Sequence, residues 1–162
     1  MKALKEDIVI DQAEPRDLPD VLDLWAELMV FTANYNSHYG LVENSKRVQE
    51  SYMKAFFDSN TATIFVARDA GRIVAFTNVY ITKPAPVFEP HVLGVIENIY
   101  VRPEYRRRHI GLKLVERSHQ YFTDFGADEI YVNVIPANGL SEKFWYAMGY
   151  RTQKLTMAKP GK

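Results

Sequence analysis

The sequence lacks cysteine, long apolar runs and any excess of one charge, and each absence excludes a class of protein. Without cysteine the chain has no disulfide, no thiolate metal ligand and no cysteine nucleophile, and we predict no metal site. No run of about 18 apolar residues is present, so no membrane-spanning helix is expected. The N-terminus, MKALKEDIVID, has no apolar stretch as long as that of a signal peptide. We therefore predict a cytoplasmic protein that does not bind membranes.

Charge and composition narrow the class further. Lys and Arg together number 20, and so do Asp and Glu, which argues against general nucleic-acid binding because such proteins usually carry a basic excess. Positive charge is local, in residues 102–113 and in the C-terminal tail. Hydrophobic residues make up 47% of the 162 residues, enough to form a buried core. No linker, repeat or low-complexity segment interrupts the chain, and we predict one domain over residues 1–162.

The most informative stretch is VIENIYVRPEYRRRHIGLK, residues 95–113. Its first seven residues are mostly apolar and predict a strand, which Pro103 ends because proline has no N–H for a sheet. After three arginines at 106–108, apolar residues recur at helical spacing as far as Phe125. The free N–H groups and the dipole at the start of such a helix, beside three arginines, favour phosphate binding. The alternative is a solvated basic turn.

Hydrophobic periodicity and turn residues predict the other elements. Asp69 to Arg72 has the composition of a hairpin turn between two strands. The order is strand, two helices, hairpin, strand, helix, strand, helix, strand. Besides the helix after the arginines, the predicted helices are 17–31, 46–58 and 138–148. The predicted strands are 8–13, 61–67, 73–82, 95–101, 129–135 and 150–157.

This order of elements and two sequence motifs resemble the GNAT superfamily of N-acetyltransferases. The family's pyrophosphate-binding turn follows R/Q-x-x-G-x-G/A. The chain matches it at Arg106 and Gly111, with His109 in place of the first glycine. The strand IENIYV resembles the family's strand before this turn, with Glu97 at its acidic position.

The second motif is the family's N-x-x-A-x-x-F-Y-x-x-x-G-F segment, which resembles NGLSEKFWYAMGY, residues 138–150. Asn138, Phe144 and Gly149 match, whereas Trp145 replaces the tyrosine; Ser141 and Tyr150 replace the alanine and the last phenylalanine. The resemblance implies that Asn138 contacts the pantetheine or phosphate region of the donor. Asn138 is also a good N-cap for the following helix, and the two roles are compatible.

The resemblance implies an α+β fold with a mixed, mostly antiparallel sheet of six to seven strands and about four flanking helices. Its two central strands, 95–101 and 129–135, are splayed, and the pantetheine arm of acetyl-CoA, the acetyl donor, enters the gap between them. A homodimer is expected from the habit of that family. The donor-binding residues implied are Ile99, Tyr100, Val101, Arg106, Arg107, Arg108, His109, Ile110, Gly111, Leu112, Asn138 and Trp145.

Acetyl transfer to an amine requires the neutral amine. A lysine-like amine has a pKa of about 10.4, about 3.4 units above pH 7, so a base that removes the proton is useful. Glu97 is the candidate base, because a carboxylate in an apolar strand is costly unless it is used or paired. The alternative is a salt bridge to a nearby arginine or lysine. The family often uses the tyrosine replaced by Trp145 as an acid, and Tyr146 lies about 100° further round the helix.

Fold and cofactor do not determine the acceptor amine. Loops 32–45 and 83–91 are expected to shape its cleft, although the first is equally explained as a packed surface loop. The candidate acceptor contacts are Tyr35, His38, Tyr39 and Phe88.

The predicted function is therefore an acetyl-CoA-dependent N-acetyltransferase that acts on a primary amine of a small molecule or peptide. Transfer is expected to be direct, within a ternary complex. The alternatives are a non-catalytic acyl-CoA-binding sensor on the same fold and a nucleic-acid-binding module built on the RRRH turn. The balanced charge disfavours the latter.

Overall fold

The computed structural model describes residues 8–35, 40–89, 91–135, 138–159 and 161. A five-stranded sheet carries helices on both faces, and short 3₁₀ turns at Pro15–Asp17 and Pro103–Tyr105 precede α1 and follow β4. The elements in chain order are β1 (Val9–Gln12), α1 (Leu18–Ala33), α2 (Ser45–Phe57), β2 (Ala62–Asp69), β3 (Arg72–Thr82), β4 (Leu93–Val101), α3 (Ile110–Asp124), β5 (Glu129–Val132) and α4 (Gly139–Ala147).

The strands follow one another across the sheet in chain order, from β1 to β5. Neighbours are antiparallel except for β4 and β5, which are parallel. The predicted hairpin joins β2 to β3 through Ala70 and Gly71, whose φ values of 48° and 82° lie in the left-handed region that tight turns use. The predicted fold class, a mixed and mostly antiparallel sheet with flanking helices, is confirmed.

The strand count is lower than the six to seven predicted, because residues 150–157 form no strand. Residues 151–159 are exposed throughout, and Leu155 and Met157 leave 69% and 93% of their surfaces in solvent. Alternating apolar residues form a strand only where a neighbouring strand pairs with them and a core covers one face. The described residues provide this segment with neither a pairing strand nor a covering core. β5 is also shorter than predicted and ends at Val132.

Two hydrophobic cores, one on each face of the sheet, position the helices. Helices α1 and α2 pack on one face, where Leu24 and Met53 meet Phe76 of β3. Helix α3 packs on the other face through Leu114 and Phe122. A Cβ on Gly94 of β4 would lie 2.6 Å from the Phe122 ring, so glycine is required for α3 to lie this close to the sheet. The start of α3 is thereby held beside the end of β4.

A β-bulge interrupts β4. Asn78 of β3 pairs with Asn98, but the next residue, Val79, pairs with Ile96. Glu97 is therefore an extra residue with no partner of its own on β3. Bulges of this kind bend a strand and redirect the side chains at that point.

Candidate active site

The cleft begins where two parallel strands part. Pairing between β4 and β5 ends at Ile96 and Val132, but β4 continues to Val101. The divergence accounts for the splayed strands that were predicted. It opens a cleft of about 670 Å³, which extends from the start of α3 to the side of α1.

Most of the predicted donor-binding residues line this cleft. Arg108 does not; its guanidinium carbon lies 5.2 Å from the centre of the Tyr105 ring. The predicted donor-site residues on the cleft wall are Ile99, Tyr100, Val101, Arg106, Arg107, His109, Ile110, Gly111, Leu112, Asn138 and Trp145, and the candidate base Glu97 lies there too.

The start of α3 offers unpaired backbone donors to the cleft. The N–H of Lys113 bonds to the carbonyl of His109 at 3.0 Å and closes the first helical turn. The N–H groups of Ile110, Gly111 and Leu112 precede that turn and have no intrahelical acceptor. All three residues line the cleft, so this wall carries the positive end of the helix dipole.

The turn before α3 has an unusual backbone. Arg107 and His109 adopt φ values of 58° and 59°, in the left-handed region that glycine enters without cost. A side chain there costs about 1–2 kcal/mol. His109 therefore keeps the conformation of a glycine turn without the glycine, and its side chain is exposed.

Gly111 lies in the first turn of α3, where the protein leaves room for a Cβ. A Cβ built on it would lie 3.7 Å from Phe144 and 3.9 Å from Val101, which is ordinary van der Waals contact. Packing within the chain therefore does not require glycine, and Gly111 has no positive φ. A glycine where nothing in the protein demands one, beside free N–H groups, fits close approach of a bulky anion such as a pyrophosphate.

The arginines have different surroundings. The Nε of Arg106 donates to the carbonyl of Val101 at 3.0 Å. Its guanidinium carbon lies 5.2 Å from the centre of the Phe31 ring and 5.7 Å from that of Tyr100. Arg106 thus joins the turn to α1. Arg107 lines the cleft as an exposed cation.

Helix α4 closes the donor side of the cleft. The side chain of Asn138 accepts from the N–H of Ser141 at 3.3 Å, so the predicted N-cap is present. Trp145 is 3% exposed and packs edge-to-face against Phe144. Tyr146 points elsewhere, with its hydroxyl 2.8 Å from that of Thr152.

The segment after α4 is tied to α3. The Nε2 of His119 lies 2.7 Å from the hydroxyl of Tyr150, whose ring also packs against Trp145. Burial lowers the pKa of His119, and burial also raises the pKa of Tyr150 to about 12. A neutral pair therefore braces the donor side of the cleft.

The bulge directs Glu97 toward α2. Ile96 and Ile99 both pack on the α3 face and Tyr100 packs on the other, so Glu97 and Asn98 lie together on the α1–α2 face. The Tyr52 hydroxyl donates to Oε1 of Glu97 at 2.8 Å.

A second donor fixes the other carboxylate oxygen. The amide of Asn78 donates to Oε2 of Glu97, and the carbonyl oxygen of Asn78 accepts from Asn98 at 2.9 Å. Glu97 makes no salt bridge within residues 8–35, 40–89, 91–135, 138–159 and 161, so the alternative of an arginine or lysine partner is not found there. Neutral donors therefore hold the carboxylate.

Two tyrosines beside Glu97 remain protonated. Burial, followed by the hydrogen bond to Glu97, raises the pKa of Tyr52. Burial and then the charge of Glu97 also raise the pKa of Tyr80. At neutral pH Tyr52 is consequently a hydrogen-bond donor to the carboxylate and not a competing base.

The predicted acceptor residues are only partly brought together. Tyr35 lines the cleft at the end of α1, whereas Phe88 is 63% exposed and does not line it. His38 and Tyr39 lie outside the described residues. Sequence reasoning missed Tyr52 and three residues of α1 that line the cleft, namely Leu28, Met29 and Phe31. Thr32, which also lines it, belongs to the segment 32–45 that was expected to shape the cleft.

The part of the chain that the structure describes contains no group of three or more His, Cys, Asp or Glu side chains placed to hold a metal ion. None of its helices has the length and apolar character needed to cross a bilayer.

Comparison with known proteins places the chain in a family. Residues 23–150 match the model of the acetyltransferase (GNAT) family. A protein of Archaeoglobus fulgidus described as an uncharacterized N-acetyltransferase is 28% identical over 112 residues, which cover 69% of this chain and 71% of the relative.

Solved structures share the fold. A mutant of the BH1408 protein from Bacillus halodurans superposes with a TM-score of 0.85 at 21% identity, over 95% of this chain and 99% of that one. The aminoglycoside N-acetyltransferase AAC(6')-Iy in complex with CoA gives a TM-score of 0.73 at 17% identity, over 95% and 99%.

The family match covers most of the chain, including the bulged strand, the basic turn and α4. The chain therefore belongs to the GNAT family of acetyltransferases, which confirms the predicted class of enzyme, an N-acetyltransferase with acetyl-CoA as its donor.

Proposed function

We propose that the chain transfers the acetyl group of acetyl-CoA directly to a primary amine of a small molecule, with both substrates bound and Glu97 as the general base. One observation carries the proposal: the bulge presents the Glu97 carboxylate to the cleft, held by Tyr52 and Asn78. A carboxylate held in place by neutral donors is suited to accept a proton.

The donor fits the wall formed by the turn and α3. The N–H groups of Ile110, Gly111 and Leu112, with Arg107, would hold the pyrophosphate. The edge of β4 that faces the gap would hold the amides of the pantetheine arm, near Ile99. When bound, acetyl-CoA supplies an activated acetyl group.

The chain's own residues then have two tasks. Glu97 takes the proton from the amine nitrogen, directly or through one water molecule, on a carboxylate oxygen that still has a free lone pair. Tyr52 and Asn78 keep that carboxylate in one orientation. The amine nitrogen then forms a bond to the acetyl carbon as the C–S bond of the thioester breaks, and CoA leaves as a thiolate that needs a proton. We assign no side chain as the general acid for this thiolate, since Trp145 carries an indole and the hydroxyl of Tyr146 bonds to Thr152, so water supplies the proton.

Direct transfer is supported by the absence of a cysteine nucleophile. The test combines two-substrate initial rates with mass spectrometry of the protein after incubation with acetyl-CoA alone. Intersecting reciprocal plots and an unmodified protein are expected. Parallel plots with an acetylated protein would show a covalent route.

A thermal-shift titration with acetyl-CoA, combined with an assay for release of free CoA, separates the enzyme from the acyl-CoA sensor. A ligand that binds only the folded state raises the Tm by mass action. A shift together with amine-dependent release of free CoA supports the enzyme. A shift without turnover over a broad panel of amines would support the sensor.

A further inference from the structure

We propose that the acceptor is a primary amine with a single positive charge and an apolar or aromatic body, and not a polycation such as a polyamine or an aminoglycoside. The inference rests on the proposed function and assigns the class of substrate to the same cleft. Its basis is the distribution of charge and apolar surface at the acceptor end.

The described residues that line the cleft carry one negative group. Glu97 is the single carboxylate among them, while Arg106 and Arg107 are cations. In the sequence, none of the four residues that follow Tyr35 is acidic. One ammonium group can be matched by Glu97, but a second has no matching carboxylate on this wall.

Three of the four acidic residues on α1 and α2 are already paired, and the fourth, Asp20 in the first turn of α1, does not line the cleft. Asp23 and Glu27 lie along a shallow groove with Val30 that adjoins the cleft at Phe31 and Tyr100, and neither carboxylate lines the cleft itself. Turning any of the three paired acids toward the cleft would break its ion pair. The pairs are Asp23 with Lys46 at 2.5 Å, Glu27 with Arg102 at 3.4 Å, and Glu50 with Lys54 within α2 at 2.8 Å.

The wall that faces the acceptor is mostly apolar. Helix α1 contributes Leu28, Met29 and Phe31, with Tyr35 just beyond its end. A second ammonium buried against this wall would lose its water without gaining a partner, which disfavours its binding. It would also meet the positive charge of Arg106, which already lies over the Phe31 ring. An aromatic or aliphatic body would instead bury its surface there.

The shared fold does not oppose this conclusion. AAC(6')-Iy, which has the same fold, is an aminoglycoside N-acetyltransferase, and aminoglycosides carry several amino groups. Fold does not set the substrate, and the side chains of the cleft do.

The first test compares kcat/KM for four amines with the full chain and acetyl-CoA, by release of free CoA. 2-Phenylethylamine and tyramine represent the proposed class, and spermidine and kanamycin represent polycations. We expect the first pair to be favoured by about tenfold or more. A higher kcat/KM for spermidine or kanamycin would overturn the inference and leave the proposed function intact. If no amine is acetylated, the proposed function fails and the inference falls with it.

The second test adds a carboxylate to the wall. Thr32→Glu places one in the cleft, and Val30→Glu places the same charge on the same helix but outside it. We expect Thr32→Glu to raise the spermidine to phenylethylamine ratio of kcat/KM by about tenfold, and Val30→Glu to change it by less than about twofold.

A second cleft variant, Tyr35→Glu, keeps the test decisive if Thr32→Glu does not fold. It should shift the ratio in the same direction, since Tyr35 also lines the cleft. A ratio that remains unchanged in the folded cleft variants, or that rises equally in Val30→Glu, would contradict the proposed role of the wall.

Discussion

The two ends of the cleft are built in different ways. At the donor end, the wall that we propose holds the pyrophosphate is one continuous segment, from Arg106 to Leu112, which offers backbone N–H groups and positive charge. The acceptor end gathers side chains from α1, α2, β3 and β4, and its central hydrogen bond joins Tyr52 to Glu97 across 45 positions. Binding at the first end depends on local backbone conformation, whereas chemistry at the second depends on how distant elements pack. Substitutions at each end should therefore separate donor affinity from turnover.

The largest effect is expected for Glu97→Gln. Loss of a general base typically costs about 10²- to 10⁴-fold in rate, while acetyl-CoA affinity should not change. The loss should shrink as the pH rises toward about 10, because the amine then loses its proton without help. The measurement is kcat/KM from pH 7 to 10 with one active amine, with Glu116→Gln on the exposed face of α3 as the control.

Two results would contradict that role for Glu97. Wild-type activity of Glu97→Gln at pH 7 would remove the carboxylate from the chemistry. A loss that stays constant over the whole pH range would mean that Glu97 positions the acceptor and does not take its proton.

At the donor end, Gly111→Val should weaken acetyl-CoA binding. Overpacking costs about 1–3 kcal/mol, or about 5- to 150-fold in Kd. Gly111→Ala is the matched variant, and its Cβ has 3.7 Å of space to Phe144, so a smaller loss is expected. Calorimetry gives both values, and circular dichroism checks the fold. Equal affinities for wild type and the valine variant would show that the phosphates do not approach Gly111.

Tyr52→Phe should reduce turnover by about tenfold without changing the Kd of acetyl-CoA. It removes a hydrogen bond to a charged group, which is worth about 1.5–3 kcal/mol, and only part of that is expected in the rate. The matched control is Tyr131→Phe, since the Tyr131 hydroxyl also donates to a glutamate, Glu129, outside the cleft. Equal effects of the two substitutions on kcat would exclude a role for Tyr52 in holding Glu97.

The smallest effect is expected for the contact between His119 and Tyr150, through the dependence of stability on pH. Burial holds the pKa of His119 below its usual value, so the unfolded chain takes up a proton near pH 6.5 before the folded protein does. Stability should therefore fall as the pH drops below about 6.5, by a few degrees in Tm at most.

His119→Asn should flatten that decline, as measured by thermal unfolding at pH 7.0, 6.5, 6.0 and 5.5. Tyr150→Phe keeps the ring that helps to bury His119, and it should retain most of the decline because burial is the main cause. Identical slopes for wild type and His119→Asn would assign the decline to other groups.

The contrast between the two ends also explains what the sequence could predict. The donor turn was predictable because its strand, arginines, glycine and helix are contiguous. Glu97 could be selected because a carboxylate stands out in an apolar strand. The partners of Glu97 could not be predicted from the sequence. The contacts of Tyr52 and Asn78 depend on the packing of α2 and on a one-residue slip between β3 and β4.

The predicted strand over residues 150–157 was wrong for a related reason. The alternation that includes Leu155 and Met157 would put apolar side chains on one face of a strand, but a strand also needs a neighbour to pair with. The last strand of the sheet, β5, ends at Val132. The cleft-lining residues of α1 were missed because a helical stripe predicts a buried face. Such a stripe does not show which of its residues lie outside the core and line a cleft.

The bulge in β4 also bears on how such a chain can vary in length. Deletion of either Glu97 or Asn98 would restore strict alternation and leave Ile96 and Ile99 both on the α3 face, so the core on each side would keep its residues. The sheet therefore does not need the extra residue. The Glu97 carboxylate does need it to reach its observed position. Loss of the Glu97 codon would therefore give a chain that keeps its core pattern and lacks the carboxylate that we propose as the base. Descendants of such a deletion would keep the architecture without that carboxylate.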